Sequence, residues 1–487
     1  MINIKFVLNV VGVILMLVGG LMLIPTIYSA INGFKDAGTI GLASLITIIS
    51  GFLLWAIFRK AKKNIGKREG YLIVTLAWVS ISIFCALPYY ICGMIPTLSS
   101  AVFESVSGLT TTGASVINDI ESMPRGILLW RSMTQWIGGM GIIVLTVAIF
   151  PLLGIGGVEL FVAEAPGPTT SKIHPRIKET SKRLWGIYVM LTTILAIILY
   201  FEGMTLYDAC NHALTTVATG GFSTKNASIA HFNNPVIQYT IAAFMLVAGI
   251  NYTLIYYSLK GKFTRVWKSD EFKGYLKLLT LAITAMTIGI MINTDNSLEE
   301  SFRAGLFQVI SLVTTTGFVT ADYTSWHPTL TLLCFALLFT GACAGSTAGG
   351  IKIIRHTVFT KNAFLEFKRL LHPNSLIRLR IDDHLVAPRV LTHVLVFLLL
   401  YLMVFAVGTM VMSFILADFQ DPLLTAAGAV ATTLGNVGPA IGQLGPLDNF
   451  AQVPESGKWV LSMIMIMGRL ELFSFLILFT PYFYRTH

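Results

Sequence analysis

Thr314-Thr315-Thr316-Gly317-Phe318-Val319 is one of four related stretches in this chain that combine threonine with glycine. Each stretch follows a short, semi-polar segment and lies between two long apolar segments. A pattern that recurs at matching positions indicates internal repeats. The other three stretches are Thr110-Thr111-Thr112-Gly113-Ala114-Ser115, Ala218-Thr219-Gly220-Gly221-Phe222-Ser223 and Thr432-Thr433-Leu434-Gly435-Asn436-Val437.

The apolar segments that flank the four stretches are long enough to cross a hydrocarbon core, which takes about 20 residues. Each stretch also follows a predicted helix of about 10 residues, which is too short to cross and must enter the membrane and turn back. Two further spans, 6–28 and 41–58, precede the repeats. The flanking spans are predicted at 71–92, 126–150, 184–201, 235–259, 275–292, 328–354, 390–416 and 458–481.

These segments predict an all-α polytopic membrane protein, in which two extra transmembrane helices precede four non-identical helix–pore loop–helix repeats around one pseudo-fourfold pore. Irregular backbone at membrane depth is tolerated only where protein buries it or water lines it, so four re-entrant loops imply one shared cavity. The predicted divisions are 1–69 for the extra helices and a basic loop, and 70–165, 166–265, 266–375 and 376–487 for repeats 1 to 4.

The composition agrees with this class and excludes a soluble protein, because 55% of the residues are hydrophobic and only 12% are charged. The net charge of +10 comes from Lys and Arg in alternate connectors, which predicts that these connectors face the cytoplasm. The remaining connectors are acidic and would attract cations on the outer side. The charge therefore sets membrane topology, and no nucleic-acid partner is predicted.

A short helix that ends inside the membrane directs its C-terminal carbonyl groups, with their partial negative charge, toward the centre of the repeats. The Thr-Gly stretch that follows offers backbone carbonyls and hydroxyls in place of a cation's hydration shell. Glycine suits positions where four loops crowd toward one axis. The predicted cation ligands are Thr111, Thr112, Gly113, Thr219, Gly220, Gly221, Thr315, Thr316, Gly317, Thr433, Leu434 and Gly435.

These repeats resemble the Trk/Ktr/HKT superfamily of potassium transporters, and the TrkH branch in particular, over nearly the whole chain after the first two helices. The resemblance implies potassium uptake across the bacterial inner membrane through a gated, channel-like pore with one filter glycine per repeat. K⁺ would then be both the transported ion and the ion bound in the filter. The second loop has Ala218 and Gly220 where the first has threonines, and the fourth has Leu434 and Asn436, so selectivity is expected to be looser.

Two further features match the TrkH branch by position. The ten residues 341–350 interrupt the second span of repeat 3 and are poor in helix formers. The resemblance implies an intramembrane gate here, formed by Gly345, Ser346, Thr347 and Gly349, whereas the alternative is a face of small residues for helix packing.

Arg469 lies inside the predicted last span, and the resemblance implies a cationic barrier below the filter. The alternative is a structural ion pair with Glu471 or with a carboxylate of another helix.

In repeat 1, Glu104 lies within the short helix, and Arg131 and Gln135 lie near the start of the next span. We expect these polar side chains to buttress the loops, and we assign them no part in ion binding.

Other classes of protein fit the sequence less well. It contains none of the residue patterns of intramembrane proteases, and of its nine histidines only His393 lies plainly inside a predicted span, so no haem-binding pair is available. We predict no enzyme and no organic cofactor. A sodium- or proton-coupled carrier or symporter is the alternative within transport, although such carriers use inverted repeats, and these four units share one orientation.

The resemblance also implies partners. Members of the TrkH branch work as homodimers and associate with a cytosolic nucleotide-binding, TrkA-like regulatory subunit. This chain has no Gly-x-Gly-x-x-Gly or Walker sequence of its own. The basic connector 356–389 is the expected docking surface, and the alternative is that its charge only sets topology near anionic lipid.

Overall fold

The computed structural model describes residues 2–61, 66–141, 177–375 and 377–485. Within these ranges the chain is helical, apart from loops and one antiparallel pair of short strands, Arg380–Ile381 and His384–Leu385. Six of the described helices are long and apolar enough to cross a membrane, and two bent pairs raise the number to eight. The part of the predicted span 126–150 beyond residue 141, and the predicted division at 165, lie outside the described residues.

The N-terminal pair of helices, Ile4–Ile31 and Ala37–Phe58, forms a hairpin beside the repeats. The two helices cross closely because each has a glycine at the contact: a Cβ on Gly12 would lie 2.7 Å from the carbonyl oxygen of Gly51. The carboxylate of Asp36, between the helices, accepts a hydrogen bond from the backbone of Ile127 in repeat 1 at 3.2 Å. The hairpin is thereby fixed to repeat 1.

Each of the four repeats contains a long helix, a short buried helix and a second segment that leaves the loop. Pore helices 1 to 4 are Leu98–Leu109, Leu206–Val217, Leu298–Val313 and Pro422–Gly435. The other helices are Lys67–Cys85, Leu87–Ile91, Arg125–Gly139, Ile177–Phe201, Pro235–Ala248, Tyr252–Leu259, Phe263–Lys268, Asp270–Asn293, Pro328–Leu337, Ile353–Leu371, Pro388–Ile415, Glu455–Arg469, Phe473–Leu476 and Pro481–Tyr484, with 3₁₀ turns at Ser228–His231, Gly442–Leu444 and Ile477–Phe479.

Local sequence explains where the pore helices begin. The hydroxyls of Thr97, Thr205 and Ser297 accept hydrogen bonds from the first turns of pore helices 1, 2 and 3. Glu300 completes a capping box with Ser297. Pore helix 4 begins instead with Pro422 at its first position, where a missing N–H costs nothing.

Two spans that the sequence predicts as continuous are broken in the structure. The predicted span 235–259 divides into Pro235–Ala248 and Tyr252–Leu259, which are bent by 104°. The break is held open by backbone pairing, because Cys343 donates to the carbonyl of Gly249 and Tyr252 donates to the carbonyl of Gly345. A residue pattern within the span itself cannot reveal a partner that lies about 100 positions away along the chain.

The predicted last span, 458–481, is broken in the same way. Glu455–Arg469 is bent by 111° from the segment that follows it. Glu471 has a left-handed backbone with φ of 53° at this bend. Arg469 is therefore the last residue of its helix, and the expectation that it lies inside a continuous span is wrong. The interruption predicted at 341–350 is present, since Pro328–Leu337 ends before it and Ile353–Leu371 begins after it.

Two apolar cores surround the centre of the four repeats. One joins the N-terminal pair to repeats 1 and 4, and the other joins repeats 2 and 3. All four pore helices end between these cores, so the loops that follow them are buried and close to one another.

Candidate ion pathway

The four pore helices end in the same hydrogen-bond geometry, which establishes how their loops correspond. In each loop, one backbone N–H donates to a carbonyl five residues earlier in the pore helix, at 2.8 to 2.9 Å. The four pairs are Thr112 with Ser107, Gly220 with Thr215, Thr316 with Ser311, and Val437 with Thr432. Filter loops 1 to 4 are accordingly residues 111–115, 219–223, 315–319 and 436–440.

This correspondence corrects the register predicted for the fourth loop. The glycine equivalent to Gly113, Gly221 and Gly317 is Gly438, which has a φ of 107°. Thr433, Leu434 and Gly435 belong to the last turn of pore helix 4 and not to the filter loop. The prediction from sequence was wrong because a Thr-Thr-x-Gly pattern occurs at 432–435. The glycine that is structurally equivalent to those of the other loops lies three residues later, at Gly438.

The four glycines form a closed ring with the carbonyl groups of neighbouring loops. A Cβ on any of them would collide with the backbone oxygen of the next loop. The colliding pairs are Gly113 with Gly220, Gly221 with Thr316, Gly317 with Val437, and Gly438 with Thr112. Only glycine allows this approach, and the arrangement brings one carbonyl from each repeat to the same level of the pathway.

A cavity of about 90 Å³ lies on the outer side of this ring and is lined by all four of its glycines. Nearby, Asp119 after loop 1 accepts a hydrogen bond from Asn226 after loop 2 at 3.2 Å. This bond lowers the pKa of Asp119 below its ordinary value, so the carboxylate is charged at neutral pH. The outer side therefore has a negative group close to the pathway.

A polar side chain supports the filter loop from the same position in three pore helices, nine residues before the ring glycine. The Glu104 carboxylate accepts hydrogen bonds from the Ser115 hydroxyl at 3.0 Å and from the Val116 backbone at 2.9 Å. His212 contacts the hydroxyl of Ser223 at 2.9 Å. Gln308 donates to the carbonyl of Ala321 at 3.2 Å, whereas pore helix 4 has Ala429 at this position.

The second helix of repeat 1 supports loop 2 with two buried side chains. Arg131 pairs with Glu104 at 2.7 Å, donates to the carbonyl of Ser223 at 3.0 Å and lies over the ring of Phe222. Gln135 donates to the carbonyl of Gly220 and accepts from the backbone of Phe222. The predicted buttressing by Glu104, Arg131 and Gln135 is confirmed. His212 and Gln308 were missed, although their shared offset from the ring glycines is visible in the sequence.

The glycine-rich loop, residues 341–350, is closed at its neck by backbone hydrogen bonds. Gly341 donates to the carbonyl of Ile351 at 2.8 Å, and Ile353 donates to that of Ala342 at 3.1 Å. The Glu271 carboxylate, 7% exposed, accepts from the backbone of Ala344 at 2.6 Å. Glu271 was not singled out from the sequence, because nothing near it in the chain indicates a loop partner.

The tip of the glycine-rich loop lies directly against the inner ends of the filter loops. The hydroxyl of Thr347 contacts that of Thr219 at 3.1 Å, and the backbone N–H of Gly349 donates to the Thr315 hydroxyl at 2.7 Å. A Cβ on Gly349 would lie 2.8 Å from that of Asn436 in loop 4. The loop therefore covers the ring from the side opposite to the outer cavity.

Arg469 joins this loop to the rest of the pathway. Its guanidinium donates to the Thr347 carbonyl at 2.8 Å and to the Thr111 hydroxyl at 3.2 Å. It also donates to the carbonyl of Gly139 at 3.0 Å, at the end of Arg125–Gly139. Glu471 forms its ion pair with Arg355.

The structure brings all the predicted gate residues together below the ring. A cavity of about 190 Å³ lies on the inner side of the glycine-rich loop, and its lining includes Gly345, Ser346, Gly349 and Arg469. Thr347 faces the filter instead. In the described ranges of the chain, no group of three or more His, Cys, Asp or Glu side chains is placed to hold a metal ion. Charged side chains also line the two cavities: Arg131, Lys225 and Asp448 on the outer side, and Lys352, Arg469 and Glu471 on the inner side.

Comparison with known proteins identifies the family. The sequence model of the TrkH family, described as a cation transport protein, matches residues 39–288 and 289–483. The chain is 40% identical over 486 residues to the Trk system potassium uptake protein TrkH of Salmonella typhimurium, and equally to that of Escherichia coli K12, covering 99% of each chain. The crystal structure of the potassium transporter TrkH from Vibrio parahaemolyticus superimposes with a TM-score of 0.88 at 35% identity, covering 99% of this chain and 100% of that one.

The comparison confirms the fold class and the resemblance that the sequence indicates. A polytopic helical membrane protein with this architecture agrees with the solved structure over its full length. The matched relatives are transport proteins, and the alternative of an enzyme is not supported. This chain is a multi-pass membrane protein and belongs to the TrkH family of cation transport proteins.

Proposed function

We propose that this protein takes up potassium across the bacterial inner membrane through a gated, channel-like pore. The observation that carries the proposal is the closed ring in which Gly113, Gly221, Gly317 and Gly438 each abut a carbonyl of the next loop. The names of the matched relatives, potassium uptake proteins of the Trk system, support the choice of ion.

Backbone carbonyls suit a conducted monovalent ion, because they replace its hydration shell without the full charge of a carboxylate. The C-terminal ends of the pore helices add partial negative charge at the same level. The ring uses backbone atoms, so Gly220 and Val437 supply the same ligand as Thr112 and Thr316 despite their different side chains. We therefore propose stronger potassium selectivity than the asymmetric loop sequences alone indicate.

The glycine-rich loop and Arg469 are proposed to close this pore from the cytoplasmic side. The loop lies beneath three filter loops, and Arg469 fixes its Thr347 carbonyl. A guanidinium below the ring also repels a cation that leaves the filter. Movement of the loop away from the ring would open the pathway to the inner cavity.

We further propose that the chain acts with partners, as the relatives' designation as parts of a Trk system suggests. The finer proposals are a homodimer and a cytosolic nucleotide-binding, TrkA-like subunit that docks on residues 356–389. The division of the chain at 69, 165, 265 and 375 into an N-terminal pair and four pore repeats is also a proposal.

Flux into liposomes that contain the purified protein tests the proposed function. We expect potassium to enter faster than sodium, and the reversal potential to follow the potassium gradient when the pH and sodium gradients are varied. A reversal potential that moves with the sodium or proton gradient would favour the alternative of a coupled carrier. Liposomes that pass potassium and sodium equally would contradict the assignment of the ring as a potassium filter.

A further inference from the structure

Four side chains occupy the same position, two residues before each ring glycine. At this position the backbone is left-handed in all four loops, with φ between 52° and 55°. Such a backbone is strained for threonine, so the surrounding structure must hold it. The four residues are Thr111, Thr219, Thr315 and Asn436.

The three threonine hydroxyls at this position are all engaged by the parts that cover the pore. Thr315 accepts from the backbone of Gly349 at 2.7 Å, and Thr219 contacts the hydroxyl of Thr347 at 3.1 Å. Thr111 accepts from the guanidinium of Arg469 at 3.2 Å. The glycine-rich loop and Arg469 therefore form hydrogen bonds with three hydroxyl groups at the inner end of the filter. Without the loop and Arg469, these hydroxyls would face the pathway.

Asn436 provides an independent sign that this position binds a ligand. Its amide nitrogen donates to the hydroxyl of Thr112 and to the carbonyl of Met465, both at 3.0 Å. Its side-chain oxygen is buried and has no hydrogen-bond partner among the described residues. That oxygen lies between the backbones of Gly349 and Gly468, because a Cβ on either would come within 3.1 Å of it. A buried amide oxygen left without a partner is costly unless a cation or water binds it.

We propose that the side-chain oxygens of Thr111, Thr219, Thr315 and Asn436 form the innermost potassium site of the pore, and that the closed loop and Arg469 compete with the ion for this site. The proposal rests on the proposed function of the chain as a potassium pore. A cation at this level would be close to the guanidinium of Arg469 and would lose hydroxyl lone pairs to Gly349 and Arg469. The ion and the closed loop therefore exclude each other.

Competition of this kind makes potassium itself a ligand that favours the open pore. A ligand that binds one of two states shifts the population toward that state, and the coupling is reciprocal. Potassium at the inner site should release the glycine-rich loop. A loop that is held more weakly should in turn leave the site open to potassium.

The test measures exposure of the loop in Ala348→Cys, because Ala348 is buried, at 4% exposure, beside the residues that contact the filter. Protein in lipid nanodiscs is treated with a thiol reagent in potassium or in N-methyl-D-glucamine at equal ionic strength, and modification at position 348 is quantified by mass spectrometry. We expect modification to be about fivefold faster in potassium, which is the population shift that one buried hydrogen bond makes.

Thr315→Val removes the hydroxyl that accepts the hydrogen bond from the backbone of Gly349. Thr314→Val is its matched control. Thr314, the cap residue of pore helix 3, is equally buried, but its hydroxyl bonds to the Ile310 carbonyl and to the Thr316 hydroxyl and not to the glycine-rich loop. With Thr314→Val we expect the potassium effect to persist. With Thr315→Val we expect fast modification in both salts. Where Thr315→Val does not fold, Thr219→Val with Thr216→Val as its control gives the same comparison.

The outcomes separate this proposal from the proposed function, because potassium flux is measured for Ala348→Cys in liposomes at the same time. Modification that is independent of potassium in a protein that conducts potassium overturns the competition and leaves the pore intact. An equal potassium effect in the Thr315→Val and Thr314→Val backgrounds also overturns it. Absence of potassium flux overturns both proposals.

Discussion

The side-chain amide of Asn436 donates a hydrogen bond to the hydroxyl of Thr112 at 3.0 Å, which joins the fourth filter loop to the first. Asn436 has a φ of 55°, the left-handed conformation that Thr111 adopts at the same place in loop 1. Asparagine tolerates this conformation better than threonine does. The contact therefore places Asn436 in the filter loop, two residues before the ring glycine Gly438, and leaves Gly435 in the pore helix.

Gly438→Ser should reduce the preference for potassium over sodium, because its Cβ would collide with the carbonyl oxygen of Thr112 and displace it from the ring. Gly113→Ser and Gly317→Ser should have the same effect. The ratio of potassium to sodium flux in liposomes measures it. Gly93→Ser is the control, since Gly93 also has a left-handed backbone, with φ of 74°, but has open space around its Cβ position. Unchanged ion ratios in Gly438→Ser would refute the corrected register.

Arg469→Gln should raise the basal potassium flux of the protein without its partners. The substitution removes the charge below the ring and weakens the hydrogen bond to the Thr347 carbonyl, which holds the loop closed. The rate of tracer uptake into liposomes measures this change. Arg389→Gln, an exposed position on the basic connector, should leave uptake as it is. A folded Arg469→Gln protein with wild-type uptake would exclude Arg469 as part of the barrier.

Glu271→Ala should also raise basal potassium flux. The Glu271 carboxylate accepts a hydrogen bond from the backbone of Ala344, near the start of the glycine-rich loop, and so helps to hold the loop in place. Loss of this bond leaves the Ala344 N–H without its carboxyl partner, which costs about 1–3 kcal/mol and is enough to shift a closed loop toward open states. Tracer uptake again measures the effect. The neighbouring variant Asp270→Asn is the control, since Asp270 pairs with Lys361 and not with the loop. Equal uptake in the two variants would mean that Glu271 does not fix the loop.

Glu104→Ala should destabilise the protein by about 3–5 kcal/mol, because it leaves the buried Arg131 without its carboxylate partner. The same change frees Ser115 at the end of loop 1 and Val116 directly after it, so potassium selectivity should fall as well. Thermal unfolding in detergent and flux ratios measure the two effects. Glu299→Ala breaks the more exposed pair with Arg303 and should cost at most about 1 kcal/mol. Similar losses in both variants would contradict the supporting role of Glu104.

Much of this architecture is visible in local sequence. The apolar segments mark the spans, because burial in lipid requires about 20 apolar residues whatever their neighbours are. The hydroxyl caps of Thr97, Thr205 and Ser297 mark the starts of three pore helices for a similar local reason. The glycine-rich interruption at 341–350 was predictable, since such a run favours no regular helix.

Other features depend on residues that are distant in the chain. The breaks at Gly249 and after Arg469 occur where the glycine-rich loop of repeat 3 approaches them. Glu271 holds the same loop from a position 73 residues earlier in the chain. The register of the fourth loop was decided in the same way: Gly435 matches the motif, but Gly438 meets the carbonyl of Thr112. The sequence by itself determined four pore loops and a glycine-rich interruption of the second span of repeat 3, through composition and periodicity. Only the tertiary structure decided which glycine closes the ring, because a collision between two backbones is a property of their positions in space and not of either sequence.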